Sequence, residues 1–185
     1  MSARQARSVR EHTEPERRRR VFFALWPDEG TREALVSASQ AAVRRSAGRA
    51  TPRANLHVTL AFLGVVSEAK LAQVRQISPP SVGRFVLSID TLGFRKRARL
   101  LWAAPDAVPP ALLELESSLW AGLEELEIPR ERRPYLPHIT LARRARHVSD
   151  TLTLVRWPVP EFVLVESTPG PRSSVYQILE TWALK

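Results

Sequence analysis

One hexapeptide pattern occurs twice in this chain. Leu56-His57-Val58-Thr59-Leu60-Ala61 and Pro137-His138-Ile139-Thr140-Leu141-Ala142 both read His, β-branched, Thr, Leu, Ala, and they lie nearly half a chain length apart. A repeat of this kind predicts two similar lobes, each lending one strand to a shared cleft. Side chains alternate across a strand, so His57 and Thr59 share one face while Val58 and Leu60 take the other. His138 and Thr140 are set against Ile139 and Leu141 in the same way. Each strand then offers an imidazole and a hydroxyl about 7 Å apart, anchored from behind by apolar packing.

Two imidazoles facing one another suit one class of chemistry. Imidazole titrates near neutrality, so one ring can take a proton while the other gives one. A base and an acid on opposite sides serve in-line displacement at phosphorus. The two threonine hydroxyls can donate to the phosphate oxygens that stay in place. Arg143 would add a bidentate clamp, but strict alternation turns it away from Thr140 unless the strand ends or twists there. A metal site would need a further ligand, and neither repeat contains an acidic residue or a cysteine. No G-x-S-x-G pattern is present either. The reading is acid–base chemistry with no metal and no cofactor. His12 and His147 lack the flanking pattern and are read as surface residues.

Composition fits a globular chain, with 44% hydrophobic and 25% charged residues. No apolar run approaches the length of a spanning helix or of a signal peptide's core, so no membrane association is expected. The absence of cysteine rules out a disulfide framework and suits a cytoplasmic location. The formal charge is +9, and because only Lys70, Lys96 and Lys185 are lysines, 25 of the 28 basic residues are arginine. Arginine's planar fork matches phosphate oxygens, so the balance favours a polyanionic partner; genomic base composition explains the bias equally well.

Residues 1–19 are rich in arginine and nearly empty of large apolar side chains, which predicts a disordered tail that is either simply solvated or helps hold RNA. Order is expected from Arg20, with residues 20–185 as one bilobal domain. Strands are predicted at Val21–Trp26, Leu56–Leu63 (ended by Gly64), Arg84–Leu92, Leu100–Ala103, His138–Ala142, Phe162–Ser167 and Val175–Ala183. Helices are predicted from Thr31 to about Ala47 behind an Asp28 cap, over Ser67–Ile77 with Ser67 as cap, and from Pro109-Pro110 to about Leu126. With no glycine-rich strand-to-helix turn, this pattern gives an α+β fold of antiparallel or mixed sheets, with helices packed on them.

These residues carry a resemblance. Arg20-Val21-Phe22-Phe23-Ala24-Leu25, the two His-x-Thr segments, Leu101-Trp102, Arg133-Pro134 and Trp182-Ala183-Leu184 together resemble the two-histidine (2H) phosphoesterases, in particular the LigT-like RNA 2',3'-cyclic phosphodiesterases, also called 2'-5' RNA ligases. The resemblance covers Arg20 to Leu184. It implies a bilobal fold with pseudo-two-fold symmetry and a cleft between the lobes, and hydrolysis of a terminal RNA 2',3'-cyclic phosphate to a 2'-phosphate. It further implies His57 as proton donor, His138 as proton acceptor, Thr59, Thr140 and Arg143 as phosphate-holding positions, and Phe23 as an aromatic beside the base site. A core aromatic of the first strand is the other reading of Phe23. A monomer is expected. Two alternatives stay open: an RNA-end-binding protein without significant turnover, and 2'-5' ligation as the working reaction. The long arginine-rich tail and Trp26-Pro27 depart from the family's pattern and bear on substrate range.

Overall fold

A computed structural model describes residues 17–77, 80–130, 132–171 and 173–185. Most of the expected tail, residues 1–16, lies outside them. Order begins slightly earlier than expected, because strand β1 runs Arg18–Leu25. Its early residues are held by charge. The Arg19 guanidinium donates to Glu68 at 3.0 and 2.8 Å and to the buried Glu166 at 2.9 Å.

Helix α1 (Glu29–Arg45) follows, its first turn capped by the Asp28 carboxylate, which accepts from the Thr31 N–H at 2.7 Å. A two-residue strand β2 (Arg49–Ala50) and a 3-10 turn (Arg53–Asn55) lead into β3 (Val58–Ser67). The Ser67 hydroxyl caps α2 (Glu68–Arg75). The stretch expected as one strand over Arg84–Leu92 divides into β4 (Phe85–Ile89) and β5 (Thr91–Arg95). Then come β6 (Leu100–Ala104), α3 (Pro110–Glu125) and β7 (Ile139–Arg143). The chain closes with β8 (Val155–Val159), β9 (Glu161–Thr168) and β10 (Val175–Ala183).

The fold is α+β, and every strand pairing among the described residues is antiparallel. Eight strands form one sheet in the order β10-β9-β1-β3-β7-β6-β5, with β2 added beside β7. Strands β4 and β8 form a separate pair. The larger sheet is two half-sheets joined edge to edge, since β3 and β7 meet through the single pair Val58–Ile139. About that pair the halves correspond. β3 lies beside β1 and β7 beside β6, and a helix bridges each couple, α1 between β1 and β3 and α3 between β6 and β7.

The helices cross over the seam, α3 packing on β3 and α1 on β7. Leu112, Leu115, Leu119 and Leu123 recur at helical spacing along α3 and are fully buried. They belong to the same core as Val58, Leu60, Ile139 and Leu141. The apolar alternation of both repeats therefore fills the helix side of the sheet and leaves the other side to the histidines. No described helix is long and apolar enough to cross a membrane.

Gly64 does not end β3 as expected. It takes φ of +73°, which glycine tolerates, within a bulge opposite Val21 and Phe22, and the strand continues to Ser67. Gly93 has a steric role. It lies opposite Trp102, and a Cβ there would stand 2.0 Å from the indole Cζ2. Gly93→Ala is expected to lower stability by about 1–3 kcal/mol through this overpacking, read as a reduced thermal unfolding midpoint. An unchanged midpoint would show that the indole can move freely.

Candidate active site

Each histidine sits one residue ahead of its strand, immediately before the joining pair Val58–Ile139. In an antiparallel ladder that register, carried one residue either way, sets His57 beside Thr140 and Thr59 beside His138. All four are part-exposed, whereas Val58 and Ile139 on the reverse face are fully buried. The quartet lines one cleft of about 380 Å³ between the two halves.

Both imidazoles are oriented by the same local device. His57 Nδ1 donates to the Asn55 carbonyl at 2.7 Å, and His138 Nδ1 donates to the Leu136 carbonyl at 2.8 Å, each two residues back. A carbonyl only accepts, so Nδ1 carries the hydrogen and Nε2 is left for chemistry in both rings. Asn55 is held in turn by its side-chain amide, which donates to the Ser174 carbonyl at 2.8 Å.

Arg143 also lines the cleft, and a bulge explains how. Trp102 of β6 pairs with Thr140 while Leu101 pairs with Ala142, which leaves Leu141 as an extra residue. Leu141 and Ala142 are consequently both buried, and the next residue, Arg143, returns to the face of Thr140. The first repeat does the same. Ala24 pairs with Thr59 and Phe23 with Ala61, so Leu60 is the extra residue and Phe62 arrives on the site face. Phe62 thus holds the position in the first half that Arg143 holds in the second, and the Arg20 guanidinium carbon lies 4.9 Å from the centre of its ring.

Phe23 does not reach the cleft. It is fully buried against Phe162 and Trp182, its core reading, because alternation along β1 turns it to the helix side. Its neighbour Phe22 faces the cleft instead. Phe22, Trp26 and Tyr176 surround His57, with ring centres 5.1, 5.3 and 5.4 Å away, Trp26 lying nearly parallel to the imidazole. Among the described residues His138 has one aromatic neighbour, Trp102 at 6.4 Å. Sequence reasoning gave no site role to Phe22, Phe62, Tyr176, Arg49 or Asn55. The doubled apolar residues Leu60-Ala61 and Leu141-Ala142, which interrupt strict alternation, were the available signal for the bulges.

The cleft is positive. Arg20, Arg49 and Arg143 line it together with Ser167, Ser173 and Ser174, and among the described residues no carboxylate does. Arg49 and Arg143 are direct cross-strand partners, a like-charge pairing that is unfavourable without an anion between them. Enclosure acts strongly on His57, whose pKa falls from 6.5 to about 4, mainly through burial and further through repulsion by His138 and Arg143, against the opposing bond to the Asn55 carbonyl. Among the described residues no three His, Cys, Asp or Glu side chains gather as a metal site would require. What the site offers is an arginine-lined cleft with two oriented imidazoles and two hydroxyls at its centre.

Such a fold and cleft define a two-half, two-histidine architecture, and comparison with known proteins gives its family. The sequence profile of the 2'-5' RNA ligase superfamily matches residues 27–168, and the chain belongs to that family. The chain is 35% identical to the RNA 2',3'-cyclic phosphodiesterase of Thermus thermophilus, over 90% of each protein. It is 32% identical to the Escherichia coli protein of the same name, over 89% of this chain and 96% of the relative. The crystal structure of E. coli LigT complexed with 3'-AMP superposes with a TM-score of 0.84 at 30% identity, covering 91% of this chain and 99% of that one.

Opening the aromatic enclosure should return His57 towards its ordinary behaviour. In Trp26→Ala the His57 pKa is expected to rise from about 4 towards the reference value of about 6.5. An NMR titration of the imidazole reads this directly. An unmoved titration would show that the indole contributes little to the desolvation.

Proposed function

We propose that this chain hydrolyses a terminal RNA 2',3'-cyclic phosphate to a 2'-phosphate. One observation carries the reading: the joining register sets His57 and Thr140 against Thr59 and His138 on a single face of an arginine-lined cleft. The names of the relatives support it, as does the 3'-AMP complex of the E. coli neighbour.

In this reading the Thr59 and Thr140 hydroxyls and the Arg143 guanidinium hold the non-bridging oxygens, which fixes phosphorus between the two Nε2 atoms. His138 takes a proton from the attacking water, the new P–O bond forms, the P–O3' bond breaks, and His57 protonates the departing O3'. Asn55 and Leu136 keep both rings aimed throughout. The roles need a proton on His57, which the empty cleft disfavours. A bound phosphodiester supplies that proton's partner, because its negative charge works against the lowering caused by burial and by repulsion from His138 and Arg143 and favours the imidazolium. Substrate binding is thus coupled to protonation of the acid.

Both histidines come from one chain, so no second copy is needed, and the proposed working form is a cytoplasmic monomer acting on RNA ends.

The decisive assay uses a short RNA ending in a 2',3'-cyclic phosphate, in excess EDTA. Wild type is expected to release only 2'-phosphate, and His57→Ala and His138→Ala are each expected to slow turnover by about 10²–10⁴. Near-wild-type turnover in either variant would refute the roles. RNA binding without turnover in the wild type would favour an end-binding protein.

The pH dependence has a definite sign. Protonating both imidazoles removes the base, and His57 accepts its proton in the empty cleft only near pH 4. The acid limb of kcat/KM is therefore expected at about pH 4, and activity is expected to fall again at higher pH, where neither imidazole carries the proton that the departing O3' needs. Loss of activity already near pH 6 would place the two protons differently.

A further inference from the structure

The two imidazoles make the same Nδ1 bond, but the residues that accept it differ. Leu136 offers its carbonyl to His138 and carries an apolar side chain, 65% exposed, that can make no hydrogen bond of its own. Asn55 offers its carbonyl to His57, and its side-chain amide donates to the Ser174 carbonyl at 2.8 Å.

That second bond is long-range. Asn55 ends the 3-10 turn two residues before His57, and Ser174 stands immediately before β10. Within the sheet β10 and β3 are separated by β9 and β1, so the bond spans two strands and joins the sheet edge to the segment entering the seam. Two residues beyond Ser174, Tyr176 meets His57 edge to face, the rings inclined at 81°. The start of β10 therefore holds His57 twice, by the Tyr176 ring and by the Ser174 carbonyl through Asn55.

The two histidines do not need equal aim. A base meets water, which moves to it, whereas an acid must reach an oxygen fixed by its ribose and by the held phosphate. Misplacement by about 1 Å costs such a step about 10²-fold. The Asn55 carbonyl also works against the burial and the positive neighbours that disfavour a protonated His57.

We propose that the Asn55 side chain is a positioning residue for leaving-group protonation, holding His57 in line with O3' through its bond to the Ser174 carbonyl. The proposal rests on the hydrolytic reading above, with His57 as the acid. Asn55 itself gives and takes no proton, and it acts on the reaction through the ring that it aims.

Sulfur in place of O3' separates this role from a merely structural one. In an RNA ending in the 3'-thio analogue of the cyclic phosphate, water attacks phosphorus and its proton passes to His138. The P–S bond breaks, and sulfur leaves with the bonding pair as a thiolate. A thiol ionises at about pH 8.5, far below an alcohol, so this departure needs no proton.

On the oxygen substrate, Asn55→Ala and Asn55→Leu (branched like asparagine but without a donor) are expected to lower kcat by about ten- to a hundred-fold, with KM kept within about two-fold. On the 3'-thio substrate both are expected within about three-fold of wild type, as is His57→Ala, while His138→Ala stays slow. Unchanged kcat on the oxygen substrate overturns the proposal, and so does equal slowing on both substrates. A raised KM at unchanged kcat would make Asn55 a substrate contact instead. Failure of both variants to fold also overturns the proposal, by showing the tie to be structural. If sulfur does not restore His57→Ala, then His57 is not the acid, and the reading beneath the proposal falls with it.

Discussion

The architecture turns on one residue pair. Val58 and Ile139 join the two half-sheets, and they are the residues immediately after the two histidines. Their burial on the helix side fixes the register of the seam, since a slip by one residue would carry both valine and isoleucine into the cleft and both histidines into the core. Crossed packing of α3 on β3 and of α1 on β7 reinforces that seam from behind. Fold stability and site geometry are consequently one constraint: whatever loosens the packing behind Val58 and Ile139 also separates the histidine–threonine couples in front.

Much of this was legible in the sequence because alternation is a strong rule where one face of a strand is buried. Val58, Leu60, Ile139 and Leu141 declared the core side, and His57, Thr59, His138 and Thr140 followed onto the other. The same rule failed at Arg143, where a bulge at Leu141 reverses the phase, and at the equivalent Phe62. It also cannot say which of two adjacent aromatics faces a cleft. Phe22 and Phe23 are alike in chemistry, and only the pairing of β1 with β3 and β9 decides between them. β8 escaped notice because Pro158 interrupts its pattern, which an edge pairing with β4 tolerates.

Electrostatics divides the two halves more than geometry does. Near-equivalent backbone positions, with near-equivalent Nδ1 bonds, hold imidazoles in unlike surroundings. Among the described residues three aromatic rings enclose His57, while a single indole stands near His138. Arg49 and Arg143 are paired across β2 and β7 in the same cleft, so the cleft keeps cations close together while burial and those charges disfavour the protonated form of His57.

The matching bulges at Leu60 and Leu141 bear on how such a site can arise. The seam pair lies on the pseudo-dyad, so a half-length chain pairing with a copy of itself across that axis would build the same quartet of two imidazoles and two hydroxyls. A homodimer of that kind obeys exact symmetry, and every ring or charge placed near one histidine is placed near the other. A catalyst that needs an acid facing a base gains nothing from identical partners. Carrying both halves on one chain lifts that restriction: Phe22, Trp26 and Tyr176 can crowd one histidine while Trp102 alone among the described aromatics stands beside the other.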